Sequence, residues 1–296
     1  MIGLTIGLAV FVGVALGLLG GGGSILTVPL LAYVAGMDAK QAIATSLLVV
    51  GVTSAVGAIS HARAGRVQWR TGLIFGGAGM VGAYGGGLLA RFIPGTFLLI
   101  GFAVMMIATA IAMLRGRKTR EDGADAAAGG HHLPVPKIIA EGLVVGLVTG
   151  LVGAGGGFLV VPALALLGGL PMPVAVGTSL VVIAMKSFAG LGGYLSSVQI
   201  DWPVALGVTG AAVVGALVGA RMTAMINPDA LRKTFGWFVL AMSSVILAQE
   251  IHLGVGIAAA ALTAIAAAMT FACTRYGHCP LRRLVGAPRL ESAATR

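Results

Sequence analysis

Apolar residues fill windows of about 20 positions, the length a helix needs to cross a bilayer, and short polar clusters separate them. Such windows lie at 39–61, 70–90, 95–114, 173–195, 203–224, 230–249 and 253–273, which predicts seven crossings. Two further apolar stretches, 3–36 and 138–169, are longer and are interrupted by glycine runs. Each therefore holds one longer and one shorter helical piece, and either crosses once or turns back as a re-entrant hairpin.

The two interrupted stretches are copies of one another. Gly17 to Pro29 (GLLGGGGSILTVP) returns 133 residues later as Gly150 to Pro162 (GLVGAGGGFLVVP), with eight of thirteen positions identical. The same offset carries Thr45-Ser46 onto Thr178-Ser179, Trp69 onto Trp202 and Gly86 onto Gly219. A duplication at constant spacing is the signature of a transporter-type repeat. It divides the chain into a first repeat (1–115), a linker (116–137), a second repeat (138–250) and a tail with one extra helix (251–296).

Charge decides how the broken stretches run, because loops on the cytoplasmic side collect Lys and Arg. If both stretches cross, the basic residues divide almost evenly between the two faces. If both turn back, the loops 62–70, 115–137, 221–233 and the tail share one face with sixteen basic residues, and only Lys40 and Arg91 face the other. The second arrangement is predicted. Three crossings plus one re-entrant segment per repeat then set the repeats in opposite orientations, with the N-terminus outside and the C-terminus in the cytoplasm. The expected fold is an all-α polytopic membrane protein of two inverted repeats and one extra C-terminal transmembrane helix.

Composition agrees and removes other classes. Hydrophobic residues make up 58% of the chain and charged residues 9%, and the mean hydropathy is +1.02, values outside the range of soluble domains. Glycine supplies 48 of 296 residues, a sign of close helix packing and broken helices in lipid. The net charge of +10 falls in short loops without interleaved aromatics, so nucleic acid is not the expected partner. Met1 to Gly36 lacks a basic leader, and the first segment is expected to stay in the membrane. No cofactor motif is present, and His131-His132 in the linker is a poor metal site without further ligands.

Candidate chemistry gathers at the breaks. Backbone amides freed inside a bilayer must be satisfied by protein or by a water-lined cavity, so Gly21, Gly22, Gly23 and Ser24, with Gly155, Gly156 and Gly157, mark a cavity suited to an anion. Small-residue helix packing is the competing explanation. Thr45, Ser46, Thr178 and Ser179 place hydroxyls at the start of the following helices, as donors to an oxyanion or as local helix caps. Lys186 is the one charge deep inside a predicted span; insertion there costs roughly 2.5–3.5 kcal/mol, which such residues generally repay in function. Its repeat partner is Thr53. Trp69 and Trp202 suit interfacial anchors. No intramembrane nucleophile–base pair is present in the spans, so an enzyme is not expected.

The repeated glycine-rich break ending in proline, followed by the Thr-Ser pair, resembles the TauE/SafE family, the sulfite exporter family of bacterial membrane proteins, over about residues 3–250. The resemblance implies a secondary carrier in the cytoplasmic membrane for sulfite, a sulfonate such as sulfoacetate, or a related small anion. Importers of sulfonate or thiosulfate coupled to protons or sodium remain the alternative within transport. The tail departs from the pattern: CTRYGHCPLRRLVG (Cys273 to Gly286) looks like the end of membrane hairpins fused to sulfurtransferase domains. A sulfur-relay or scaffold role through Cys273, His278 and Cys279 is therefore the alternative from another class. The topology has a direct check: tags on the two termini should be accessible from opposite faces of the membrane, and accessibility from one face contradicts it.

Overall fold

A computed structural model of the chain describes residues 2–19, 22–115, 135–153, 160, 164, 172–222, 228–252, 254 and 256–264. Every regular element among them is helical. Helix α1 spans Ile2–Leu19, and a composite segment follows: a 3-10 turn at Gly22–Leu26, the short α2 at Thr27–Pro29 and a π-helical turn at Leu30–Val34. Then come α3 (Ala39–Arg63), α4 (Trp69–Ala90), α5 (Gly95–Arg115) and α6 (Val135–Val152). The chain continues with α7 (Met172–Leu195), α8 (Trp202–Met222) and α9 (Pro228–Glu250). The linker beyond Arg115, most of the second glycine run and the cysteine tail lie outside the described residues.

Local chemistry accounts for the boundaries. Asp38 caps α3, its carboxylate accepting from the Lys40 amide at 3.2 Å, as short polar N-caps do. Gly65, at φ +67°, ends the turn after α3 in the left-handed region that only glycine enters freely. Helix α6 begins at Val135, ahead of the apolar window, because Pro136 in a first turn forfeits no intrahelical bond. The piece after the first break is less regular than the sequence suggested. Pro29 has no N–H to give, and the turn widens to π geometry directly after it.

The duplication is visible in the packing. Helices start at 2, 39, 69 and 95 and again at 135, 172, 202 and 228, the 133-residue offset each time. Helix α4 lies along α6 as α8 lies along α1, while α3 packs on α7 and α5 on α9. The contacting positions correspond residue by residue. A Cβ added to Gly82 or Gly86 would strike the carbonyls of Leu143 and Leu147, and one added to Gly215 or Gly219 those of Val10 and Val14. On the facing helices, Gly146 and Gly150 abut the Gly79 and Ala83 carbonyls, as Gly13 and Gly17 abut those of Ala212 and Ala216. These are small-xxx-small seams, where the lost side chains let backbones touch. Gly17 and Gly150, the first glycines of the repeated motif, thus serve packing rather than the break.

The outside of the bundle is apolar: Phe11, Val81, Phe97, Val104, Val144 and Leu206 are all more than half exposed. A water-soluble surface does not carry so much exposed hydrocarbon. Among the described residues, α3, α4, α8 and 174–195 of α7 are each long and apolar enough to span a membrane. Trp69 and Trp202, at the starts of α4 and α8, are about half exposed, as interfacial anchors would be.

The seams make an internally controlled prediction. Gly146→Ala and its repeat partner Gly13→Ala should each destabilise the protein by about 1–3 kcal/mol through overpacking. Gly77→Ala and its partner Gly210→Ala, which meet open space, should be neutral or slightly stabilising through helix propensity. Thermal unfolding in detergent reads the difference.

Candidate functional site

Four buried polar side chains, those of Ser46, Thr149, Lys186 and Tyr194, meet at the last turns of α6. Gly153 terminates the helix at φ +72°, and its amide donates back to the Thr149 carbonyl at 2.9 Å, a left-handed glycine cap. No residue with a Cβ fits there easily, since Ile43 of α3 already presses on the position. Ser46, also on α3, donates to the Gly153 carbonyl at 3.1 Å. Tyr194 of α7, fully buried, donates to the Leu151 carbonyl at 2.6 Å. Helices α3 and α7 thus satisfy carbonyls that the last turn of α6 leaves unpaired.

Lys186 completes the cluster. Its side chain is 2% exposed, and its ammonium donates to Thr149 Oγ1 at 3.2 Å. The Thr149 hydroxyl passes its own proton to the Val145 carbonyl at 2.7 Å. None of the described residues gives Lys186 an ion pair. The C-terminal end of α6 supplies partial negative charge beside it, far short of a full counter-charge. A buried ammonium with a neutral partner is costly, and an anion at the adjoining break would relieve that cost.

The remaining residues expected from sequence distribute unevenly. Gly22 and Gly23 open the 3-10 turn, followed by fully buried Ser24, while Gly21, Gly155, Gly156 and Gly157 lie outside the described residues. The Thr45 hydroxyl is buried without a hydrogen-bond partner, one residue from Ser46 at the α6 end. Thr53 donates to the Val49 carbonyl at 2.7 Å and lines a separate cavity. Thr178 accepts from the Gln68 amide at 2.9 Å, tying α7 to the loop before α4. Ser179 donates within its own helix to the Val176 carbonyl at 2.8 Å. The two Thr-Ser pairs are therefore alike in sequence and different in partners: Ser46 meets the second break, and Thr178 caps a loop.

Sequence reasoning missed Thr149 and Tyr194. The signal existed in the repeat, where a hydroxyl at 149 and a phenol at 194 stand opposite Leu16 and His61. Each departs from its counterpart at a position one helix turn or two from Lys186 or the break.

An apolar exterior around a polar break buried in the helical core defines a multi-pass membrane protein. A family model described as "Sulfite exporter TauE/SafE" matches residues 5–246, and the chain belongs to that family. It is 36% identical over 250 residues to a "Probable membrane transporter protein" of Xylella fastidiosa (strain Temecula1), covering 81% of this chain and 92% of that one. It is 29% identical over 263 residues to the "Probable membrane transporter protein YunE" of Bacillus subtilis, covering 80% and 93%. YdhB of the same organism, with the same description, is 30% identical over 220 residues, covering 74% and 89%. No solved structure matches the chain at a significant level. Family and relatives agree on a membrane transporter.

The Lys186–Thr149 bond is open to a double-mutant cycle. Thr149→Val should destabilise the protein by about 1–3 kcal/mol, because it strands a buried donor. Lys186→Met should recover much of that loss in the double variant, so the two effects are non-additive by about 0.5–3 kcal/mol. Denaturant or thermal unfolding in detergent measures the coupling.

Proposed function

We propose that this protein exports a small sulfur-containing anion, sulfite or an organosulfonate such as sulfoacetate, across the cytoplasmic membrane by alternating access. The observation that carries the reading is Lys186: a fully buried ammonium, paired among the described residues only with the hydroxyl of Thr149, which lies one helix turn before Gly153 at the second glycine break. An anion between Lys186 and the break amides supplies the missing counter-charge. In this reading the anion's hydrogen-bonding partners are Gly155, Gly156, Gly157, Thr45, Ser46, Thr178 and Ser179, with Gly21, Gly22, Gly23 and Ser24 contributing from the first break.

Several features support the inverted arrangement this requires. Helix starts recur at constant offset, and each half's α4-type helix packs on the other half's first helix, the exchange expected of a pseudo-two-fold axis. Thr5 and Ile6 near the start of α1 line one cavity with Ala35, Gly36 and Met37, as they would if the first broken segment returns to the face where it began. In this reading repeats 1–115 and 138–250 rock against each other, 116–137 is a cytoplasmic linker, and the N-terminus lies outside. Outward movement of one negative charge down an interior-negative potential gains about 2.3 kcal/mol per 100 mV, so export needs no coupled ion.

Purified protein in liposomes should carry sulfite when a potential is imposed. Lys186→Met should reduce the flux at least about 100-fold while the protein stays folded, as expected when a charged hydrogen bond to the anion is lost. Flux that depends on a proton or sodium gradient instead would favour import. Flux kept by Lys186→Met but lost on Cys273→Ser or Cys279→Ser would overturn the site and favour a sulfur relay through the tail.

A further inference from the structure

The first repeat contains, at the place corresponding to the Lys186 cluster, a small open cavity. It lies between α1, α3, α7 and α8, has a volume of about 60 Å³, and is lined by Leu16, Thr53, Ser54, Ser60, His61 and Leu180 among others. The counterparts of Leu16, Thr53 and His61 at the 133-residue offset are Thr149, Lys186 and Tyr194. In the second repeat those three side chains hydrogen-bond to one another or to backbone and are buried. In the first repeat the smaller set leaves space, and two polar atoms on its wall have no partner.

Those two atoms are Ser54 Oγ and His61 Nδ1, both buried and without a hydrogen bond. Ser54 is 3% exposed. The neighbouring hydroxyls are already committed: Thr53 donates to the Val49 carbonyl and Ser60 to the Gly57 carbonyl at 2.8 Å. Buried polar groups without partners call for an explanation such as a bound ion or water. The Ser54 hydroxyl and, in the tautomer with its proton on Nδ1, the His61 imidazole lie two turns apart on one face of α3 and are both able to donate to an acceptor in the cavity. The basic residues of the adjoining loop set the sign of the ligand. Arg66 follows α3 in that loop, its amide donating to the His61 carbonyl at 2.9 Å, and Arg63 ends the helix itself. Among the described residues no carboxylate lines the cavity. One water needs about 10–15 Å³ of such space, so the volume suits a compact oxyanion and excludes one with a long organic tail.

We infer that the Ser54–His61 cavity is a second oxyanion site, distinct from the Lys186 cluster. It opens beside the loop that the transport reading places in the cytoplasm. It rests on that reading only for its place on the route, as the station where a small anion waits before reaching the breaks. Binding itself does not depend on transport.

The experiment separates the two sites by equilibrium dialysis of radiolabelled sulfite against purified full-length protein. The Lys186→Met chain should still bind one sulfite per chain. Adding Ser54→Ala or His61→Gln to it should weaken that remaining binding about tenfold or more, the effect of removing a hydrogen bond to a charged group. Chromatographic monodispersity and an unchanged unfolding temperature show that each variant is folded, and either substitution alone suffices if the other misfolds. Loss of all binding in Lys186→Met, or retention of full affinity in both added variants, overturns the site. Absence of sulfite flux in wild type with this binding intact would sink the transport reading and leave the site standing.

Discussion

Backbone-to-backbone contact through missing side chains is the interaction on which this architecture depends. In a bilayer no hydrophobic force draws one apolar helix to another, so helices adhere where small residues let them come close. Here Gly82 and Gly86 meet α6, and Gly215 and Gly219 meet α1, at matching carbonyls. Each repeat thereby grips the first helix of the other. The first broken segment packs against α1 and α3, and its irregular backbone is tolerated because it is buried in protein. The glycine content is thus used twice, in straight helices for adhesion and at the breaks for polar backbone.

Duplication supplies the frame, and divergence supplies the chemistry. Positions 16, 53 and 61 carry Leu, Thr and His, whereas 149, 186 and 194 carry Thr, Lys and Tyr. The second set builds a hydrogen-bonded cluster around a buried ammonium and ties down the end of α6. The first leaves a small cavity with unpaired donors. A symmetric carrier would treat the two faces alike. This one is chemically unequal at the same level of its two central helices.

Much of this was legible in the residues. The 133-residue offset gave the helix starts almost to the residue, and the rarity of charge within spans singled out Lys186. What pairs with Lys186 was not legible, because a threonine in an apolar stretch reads the same whether it faces lipid, its own helix or a lysine. Thr149 becomes informative only once α6 is seen to lie beside α7. The same holds for the Thr-Ser pairs: identical in sequence, they divide into Ser46 on the Gly153 carbonyl and Thr178 under the Gln68 amide, since the partner is set by tertiary packing. The segment after the first break was expected to be a half-helix loosened at Pro29; it is a 3-10, α and π composite whose π turn follows Pro29 directly.

The account stands on an anion meeting Lys186 at the second break. Selenium in selenite, a close chemical relative of sulfite, scatters anomalously and is therefore visible by itself in a crystal of the Cys273→Ser, Cys279→Ser protein with its methionines left as sulfur. An anomalous peak within hydrogen-bonding distance of the Lys186 ammonium and the 154–159 backbone is the predicted result. Selenite that competes for sulfite flux but leaves no peak near Lys186 would contradict the account.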